Sequence, residues 1–424
     1  MKILVVGGGG REHALCWKIA QSPAVTELHA FPGNAGIAEI ARIPKLLDDL
    51  PETICDYAQR MHIDLAVIGP EKYLALGIAD RFAAAGIPIF GVTAAAARLE
   101  SSKSFAKQIM KEAGIPTARY AVIRELDTGL QAIRSTKHYP LVLKADGLAE
   151  GKGVVIVEDA QSAERELREI MEGRFKEAGK EVIIEEYLEG EELSLLLLTD
   201  GTAWRPFVFA QDHKRALDGD TGPNTGGMGS YCPVSIGTQT LLTRCEERIV
   251  RPLFAALAAR GIPYRGILYI GLMLVKGEPF VLEYNVRFGD PETEALMFAL
   301  ESDIVPYLQA TAAGKLAATP PFEWHPGASA TVVVASGGYP GSYRRGLPIT
   351  GLDAVDPAVT VFHAGTARDP NGRLIAVGGR VLMVTARGDT LAEATARATD
   401  NAARISWENC FFRRDIGHRD LRRS

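Results

Sequence analysis

Glu283, Asn285 and Arg287 recur at every second position in "VLEYNVRFGD". Side chains alternate faces along a strand, so all three are expected on one face. A carboxylate and an amide oxygen are hard donors suited to Mg2+. An arginine beside them can grip a phosphate through its planar fork. The same alternation also suits a solvated sheet face. Against that reading, the strand is otherwise apolar, and Pro291-Glu292-Thr293 is expected to open a helix just after it.

A second cluster, "KADGLAEGKGVVIV" (144–157), looks like a phosphate loop but departs from its pattern. Gly147 to Gly151 encloses three residues where a P-loop has four, and Lys152 precedes Gly153 instead of a hydroxyl. Its flanks, "LVLKA" (141–145) and "GVVIVE" (153–158), read as strands. The glycines are then a hairpin tip able to close over phosphates, and the metal ligands must lie elsewhere. Gly7 to Gly10 follow the apolar strand "KILVV" and open a helix, whose N terminus attracts anions. A dinucleotide fingerprint is incomplete there. Gly7 and Gly9 fit, but Glu12 takes the third glycine's place, and the second strand ends in "FPGNAG" without a ribose acid. The phosphate of a smaller ligand is the expectation, a ligand-free tight turn the alternative. In "IIEEYLEGEELS" (183–194) a strand runs into an apolar linker. Its backbone can read an adenine edge and a carboxylate can take ribose hydroxyls; a charged surface loop is the competing reading.

The elements that must position these groups follow from periodicity. Strands at 2–6, 28–31, 64–69 and 87–91 alternate with helices at 11–21 and 78–85, implying a parallel sheet. A helix over 102–113 ends at Gly114 and Pro116. The region 120–190 reads as a compact α+β piece, with a helix at 161–173 and a strand at 181–187. The stretch 211–231 is polar, with five glycines and no periodicity, and reads as a long functional or disordered loop. A helix (238–260) and strands at 266–275 and 279–286 follow, with "KGEP" as the turn. From 321 the chain is β-rich, with a last helix at 390–404 and a basic tail, "RRDIGHRDLRR", read as a solvated terminus.

At 424 residues the chain has room for two to four domains, by the rule of about 150 residues each. A composition of 47% hydrophobic and 23% charged residues suits packed cores. The net charge of −5 argues against an electrostatic nucleic-acid binder, while leaving room for a local basic pocket. Five cysteines without a C-x-x-C pair argue against a disulfide framework or zinc site and for a reducing cytosol. The longest strongly apolar run, Ile267 to Val275, is nine residues, too short to span a bilayer.

The order of glycine hairpin, linker, long loop and E-x-N-x-R strand resembles the ATP-grasp ligases. "GGREHALCWKIAQSP", "PGNAG", "GPE", "KADGLAEGKGV", "QDHKRALDGDTGPNTGGMGSY", "NVRFGDPETEA", "GGYPGSY" and "VFHAGT" resemble the phosphoribosylamine–glycine ligase family across essentially the whole chain. The resemblance implies a multidomain α/β and α+β fold: a parallel α/β domain (1–102), an ATP-grasp domain (103–320) with a mobile lid (about 120–190), and a small β-rich domain (321–424). It implies that ATP, glycine and 5-phosphoribosylamine give glycinamide ribonucleotide, ADP and phosphate through glycyl phosphate, the second step of purine synthesis. Lys107 and Lys144 match the phosphate-contacting lysines, and Gly151, Lys152 and Gly153 belong to the ATP lid. Glu185, Glu186 and Leu188 match the adenine linker, and Glu192 the ribose carboxylate. Glu283 and Asn285 match the ligands of Mg2+ (or Mn2+), and Arg287 the arginine at the transferred phosphate. Gly9, Gly10, Arg11, Glu12, His13, Asn34 and Glu71, with Asn224, Thr225, Gly226 and Gly227, match the substrate site.

Asp212 and His213 are the further catalytic candidates, His213 as a base or as a loop hydrogen bond. "SSKSFAK" departs from a more usual G-S-K-A-F and leaves open whether Lys103 or Lys107 faces ATP. The expected partners are small molecules only, with no nucleic acid or membrane, in a cytoplasmic monomer or weak homodimer. A sister ATP-grasp purine enzyme, an NAD(P)-binding oxidoreductase and a non-catalytic ATP-binding regulator are the rivals. Phosphoryl transfer relies on positioning and charge neutralisation, so the lack of a Ser-His-Asp or Cys-His arrangement is no obstacle.

Overall fold

Strands that bury both faces need helices on both sides, and the N-terminal quarter of the chain is built that way. The structure, a computed structural model, describes residues 1–147, 153–174 and 179–423. Strands β1 (Lys2–Gly7), β2 (Glu27–Pro32), β3 (Leu65–Ile68) and β4 (Ile89–Phe90) form a parallel sheet in the order β2-β1-β3-β4. Ile3, Leu4, Val5 and Val6 are fully buried. Helix α1 (Gly10–Ala20) leaves β1 through the glycines, as expected. Helices Pro51–Arg60 and Ala94–Ser101 add to the expected set.

Two antiparallel sheets follow. The lid sheet runs in the order Tyr120–Ile123, Val182–Glu186, Leu141–Ala145, Val154–Val157. Leu130, Ile133, Leu143, Leu167 and Val182 fill a core of its own, separate from the rest of the protein. The glycine cluster thus joins two paired strands, as read from sequence. Gly151 and Lys152 lie outside the described residues; the Gly153 carbonyl accepts the Ala145 N–H at 2.8 Å.

The central sheet runs Trp204–Pro206, Glu191–Thr199, Gly266–Val275, Glu278–Asn285. Its last hairpin turns at Lys276 and Gly277, whose φ values of 53° and 82° give the twist a two-residue hairpin needs. Opposite Gly271 the ladder slips. Gly271 faces Glu283 and Leu272 faces Val281, so Leu282 is bulged out. A Cβ on Gly271 would come 3.1 Å from Glu283 Cγ, so the glycine leaves that side chain room.

Two expectations are corrected. The stretch 211–231 is not a loop. Gln211–Asp212 and Gly229–Cys232 join Ala328–Ala335, Arg380–Gly388 and Thr360–His363 in a five-stranded sheet, and Arg215–Leu217 pairs with Thr221–Asn224 as a hairpin. Strands of two to four residues are too short for a periodicity to show. Strands from both sides of position 320 therefore share one sheet.

The basic tail is not a solvated terminus either. Arg413 is fully buried, with Nη1 2.9 Å from Asp220 and Nε 2.8 Å from Asp415. The Arg414 N–H donates to Asp218 at 2.8 Å, and Arg419 pairs with Asp220 at 2.8 Å. The hairpin supplies carboxylates that the tail's own sequence only half shows. Breaking a buried pair from one side costs several kcal/mol, so Arg413→Ala is expected to lower stability by roughly 3 kcal/mol. Urea unfolding measures this, and an unshifted midpoint would return the tail to a solvated role.

Candidate functional site

Five cationic side chains from four parts of the chain point into one space. Lys103 and Lys107 lie one turn apart on helix Lys103–Glu112, hence on one face. Ser102 Oγ caps this helix by accepting the Phe105 N–H at 3.2 Å. Lys107 Nζ donates to Thr117 Oγ1 at 2.6 Å and sits 3.0 Å from Glu185 Oε1. Lys144 Nζ, on the lid strand, sits 2.9 Å from Glu185 Oε2 and donates to the Leu282 carbonyl at 3.1 Å. The Leu282 bulge thus exposes a carbonyl for the lid lysine. Burial lowers the Lys107 pKa to about 8, against the opposing pull of Glu185. Lys103 Nζ donates to the Gly147 carbonyl at 2.9 Å. Lys103 and Lys107 both line the space, Lys103 toward Glu283 and Lys107 toward Glu185.

Glu283 is at the centre. Burial alone would raise its pKa, but Lys214, Lys144, Lys103 and Arg287 together hold it below the usual carboxylate value. Asn285 Oδ1 accepts from Arg287 Nη2 at 3.0 Å, so the alternation reading survives the bulge. Arg287 lies just beyond the strand. Its Nη2 is 3.1 Å from Glu100 and its Nε 3.3 Å from Glu71. Glu71, read from sequence as a substrate ligand, is thus engaged by the arginine. Burial pushes the Glu100 carboxyl up to about 7 despite Arg287. Among the described residues no group of three or more His, Cys, Asp or Glu side chains forms a protein-only metal cage. Glu283 and Asn285 are instead a partial oxygen set of the kind that phosphate oxygens and water complete around Mg2+.

The other predicted residues divide. Asp212 faces the same space; burial pushes it up to about 7, with Lys214 opposing. Glu192 is 3.0 Å from Lys214 Nζ. Thr225 Oγ1 donates to the Lys214 carbonyl at 2.8 Å and accepts the Gly227 N–H at 3.0 Å. Asn224 is exposed at the end of its strand. Arg380 Nη1 donates to the Gly226 carbonyl at 2.6 Å and the Asp290 carbonyl at 2.9 Å, stapling that turn to the end of the E-x-N-x-R segment.

Several side chains build the site instead of facing it. Glu12 accepts the Gly9 N–H at 2.6 Å and Arg11 Nε at 2.5 Å, closing the first turn of α1. A Cβ on Gly7 or Gly69 would overlap it. Glu12 thus fills the space that the third glycine of a dinucleotide loop would leave open, which counts against the dinucleotide alternative. Arg11 Nη1 reaches the Phe288 carbonyl at 2.9 Å. His13 Nδ1 accepts the His363 N–H at 2.7 Å, and burial pulls its pKa down to about 3. Asn34 Nδ2 donates to the Gly8 carbonyl at 3.0 Å and the His363 carbonyl at 2.6 Å. These contacts use up the Gly9 N–H and leave the Gly10 N–H, at the α1 terminus, as the anion-seeking part.

In the linker, the Glu185 side chain bridges two lysines and that of Glu186 takes Arg119 Nε at 2.6 Å; Leu188 is half-buried. The Glu186 N–H donates to the Arg119 carbonyl at 3.0 Å, so an adenine edge would be read by the Glu186 carbonyl and the Leu188 backbone. His213 makes the loop hydrogen bond that is one of its two readings. Its Nε2 accepts the Gly417 N–H at 3.2 Å, and burial with Arg413 and Arg419 lowers its pKa to about 3. It faces the C-terminal segment, which favours the loop hydrogen bond over the base. Sequence reasoning missed Glu100, Lys214 and Arg380. Lys214 follows Asp212 within "QDHK" and was there to be found; the other two carry no local signal.

Residues 1–100 match the family model of the phosphoribosylglycinamide synthetase N domain. Residues 101–293 match its ATP-grasp (A) domain and residues 329–419 its C domain. The chain belongs to the phosphoribosylglycinamide synthetase family. It is an ATP-grasp ligase that forms a carbon–nitrogen bond. A phosphoribosylamine–glycine ligase of Rhizobium meliloti (strain 1021) is 48% identical over 423 residues, covering 100% of this chain and 99% of its own. The crystal structure of the phosphoribosylamine–glycine ligase from Thermotoga maritima superimposes with a TM-score of 0.86 at 35% identity, covering 98% of this chain and 100% of that one. The biotin carboxylase domain of Hydrogenobacter thermophilus 2-oxoglutarate carboxylase shares the fold, with a TM-score of 0.72 at 17% identity over 97% of this chain and 91% of that one.

A phosphate-binding role for Lys107 would require its charged form, and burial lowers its pKa to about 8. Above that pH a proton must be taken up with the nucleotide, so affinity is full below about pH 8 and falls by up to about tenfold per pH unit above it. Calorimetric titration with Mg-ATP from about pH 7 to about pH 9.5 measures this. Lys107→Met is expected to weaken binding and flatten the profile, and a flat profile in the unsubstituted protein would contradict the assignment.

Proposed function

We propose that this chain joins glycine to 5-phosphoribosylamine with ATP, giving glycinamide ribonucleotide, ADP and phosphate. The observation that carries this is the ionised Glu283, ringed by Lys103, Lys144, Lys214 and Arg287. Such an array suits a polyphosphate with a divalent cation, Mg2+ or Mn2+, on Glu283 and Asn285. The bound cation would neutralise phosphate charge during transfer.

The chain's own groups do the rest. Lys107 and Lys144 hold the α- and β-phosphates, with Glu185 keeping the two ammonium groups in place before ATP arrives. The linker backbone at Glu186 and Leu188 reads adenine, and Glu192 takes the ribose hydroxyls. Arg287 neutralises the phosphoryl group as the glycine carboxylate attacks it, forming glycyl phosphate and ADP. The amine of phosphoribosylamine, bound by the α1 terminus and the turn at Thr225 to Gly227, attacks the acyl carbon and expels phosphate. Asp212 is the candidate proton acceptor for that step, since a base works best with a pKa near the operating pH and burial holds its carboxyl near 7.

We further propose a monomer or weak homodimer acting in the cytoplasm on small molecules, without nucleic acid or membrane. Among the described residues no helix is long and apolar enough to cross a membrane.

Coupled ADP release with purified protein, omitting glycine and phosphoribosylamine in turn, tests the reading; release that ignores glycine would indicate a sister enzyme. Glu283→Ala is expected to fold and to abolish cation-dependent release. Lys144→Ala removes a charge-assisted contact contributing roughly 1.5–3 kcal/mol, so ATP affinity should drop about tenfold to hundredfold. Retained turnover or unchanged affinity would remove the respective role.

A further inference from the structure

Arg287 is held from the N-terminal domain more than from its own strand. Glu100, in the last turn of helix Ala94–Ser101, makes two contacts at once. Its Oε2 accepts the Val286 N–H at 2.8 Å, and its Oε1 lies 3.1 Å from Arg287 Nη2. One carboxylate therefore fixes the backbone before Arg287 and the guanidinium itself. The Glu100 side chain is 8% exposed, so this contact is shielded from solvent. With Asn285 Oδ1 at 3.0 Å, both Nη2 hydrogens are spoken for. Nη1 donates to the Phe288 carbonyl at 3.2 Å, and its second hydrogen has no partner among the described residues.

We propose that Glu100 is a positioning residue for phosphoryl transfer, holding Arg287 so that its Nη1 edge meets the transferred phosphate while Glu283 and the second oxygen lone pair of Asn285 stay free for the cation. This rests on Arg287 being the phosphate arginine of the proposed reaction. A guanidinium without that counter-charge is drawn to the nearest remaining carboxylates. Glu71, 3.3 Å from Nε, and Glu283, whose pKa Arg287 already depresses, are those groups. Glu71 is more exposed, at 26%, and its hold on the arginine is correspondingly weaker. Arg11 and Lys103 also face Glu100, so a carboxylate here sits among cations and is not a lone buried charge.

Glu100→Gln keeps the shape and an acceptor for the Val286 N–H but removes the charge, so the proteins are compared at about pH 8, above the value of about 7 to which burial pushes Glu100. Losing one charge-assisted contact predicts a fall in kcat of about tenfold to hundredfold, with KM for ATP and the melting temperature little changed. Glu100→Asp, which keeps the charge, should recover part of kcat. The deciding measurement is a double-mutant cycle on ADP release with Glu100→Gln, Arg287→Met and the pair. If Glu100 acts through Arg287, adding Glu100→Gln to Arg287→Met costs little more. Additive losses, an unchanged kcat in Glu100→Gln, or a loss confined to melting temperature would each overturn the proposal, as would full turnover by Arg287→Met alone. ADP release by the unsubstituted protein that ignores glycine would defeat the ligase reading only; the same four proteins, scored on that release, still decide the role of Glu100.

Discussion

Several ammonium and guanidinium groups must be held close together, largely out of water, and kept charged until an anion arrives. Burying one ion costs several kcal/mol, and burying like charges together costs more. The protein meets this constraint by interleaving carboxylates. Glu185 lies between Lys107 and Lys144, Glu192 beside Lys214, Glu100 and Glu71 against Arg287, and Glu283 in the middle. The result is a set of charges oriented before substrate binds, so that little reorganisation remains for the moment of transfer.

That arrangement explains why so many elements must meet. Helix Lys103–Glu112 brings two lysines on one face, and the lid strand brings a third. The bulge at Leu282 turns out a carbonyl to receive Lys144, and Gly271 leaves room for Glu283. The N-terminal domain supplies the carboxylates for Arg287. The lid has a core of its own, so its lysine reaches the site as part of a separately packed body.

The C-terminal part contributes contacts that hold other segments in place. His363 offers its N–H to His13 and its carbonyl to Asn34, fixing the N-terminal glycine loop. Arg380 staples the turn at Gly226 to the backbone at Asp290. Arg413 clasps the hairpin that carries Lys214 into the site. Residues such as His13, Asn34 and Glu12, whose types suggest chemistry, are used to lock backbone, because a glycine-rich loop has no side chains with which to hold its own shape.

The sequence alone determined the parallel N-terminal sheet, the glycine hairpin between paired strands, the E-x-N-x-R face and the family resemblance. Each is local: periodicity, glycine placement and alternation are written within ten or so consecutive residues. Tertiary structure alone decided which polar residues join the charged centre and which serve the frame. His213 and Asp212 are neighbours in the chain, yet one accepts a backbone N–H from Gly417 and the other joins the charged centre. Glu100 sits in an alanine-rich helix and finds Arg287 only across the domain junction. The tail's arginines looked solvated because their carboxylates lie almost 200 residues earlier in the chain. Charge pairing depends on distance in space, and no local pattern records which distant segments folding will bring together.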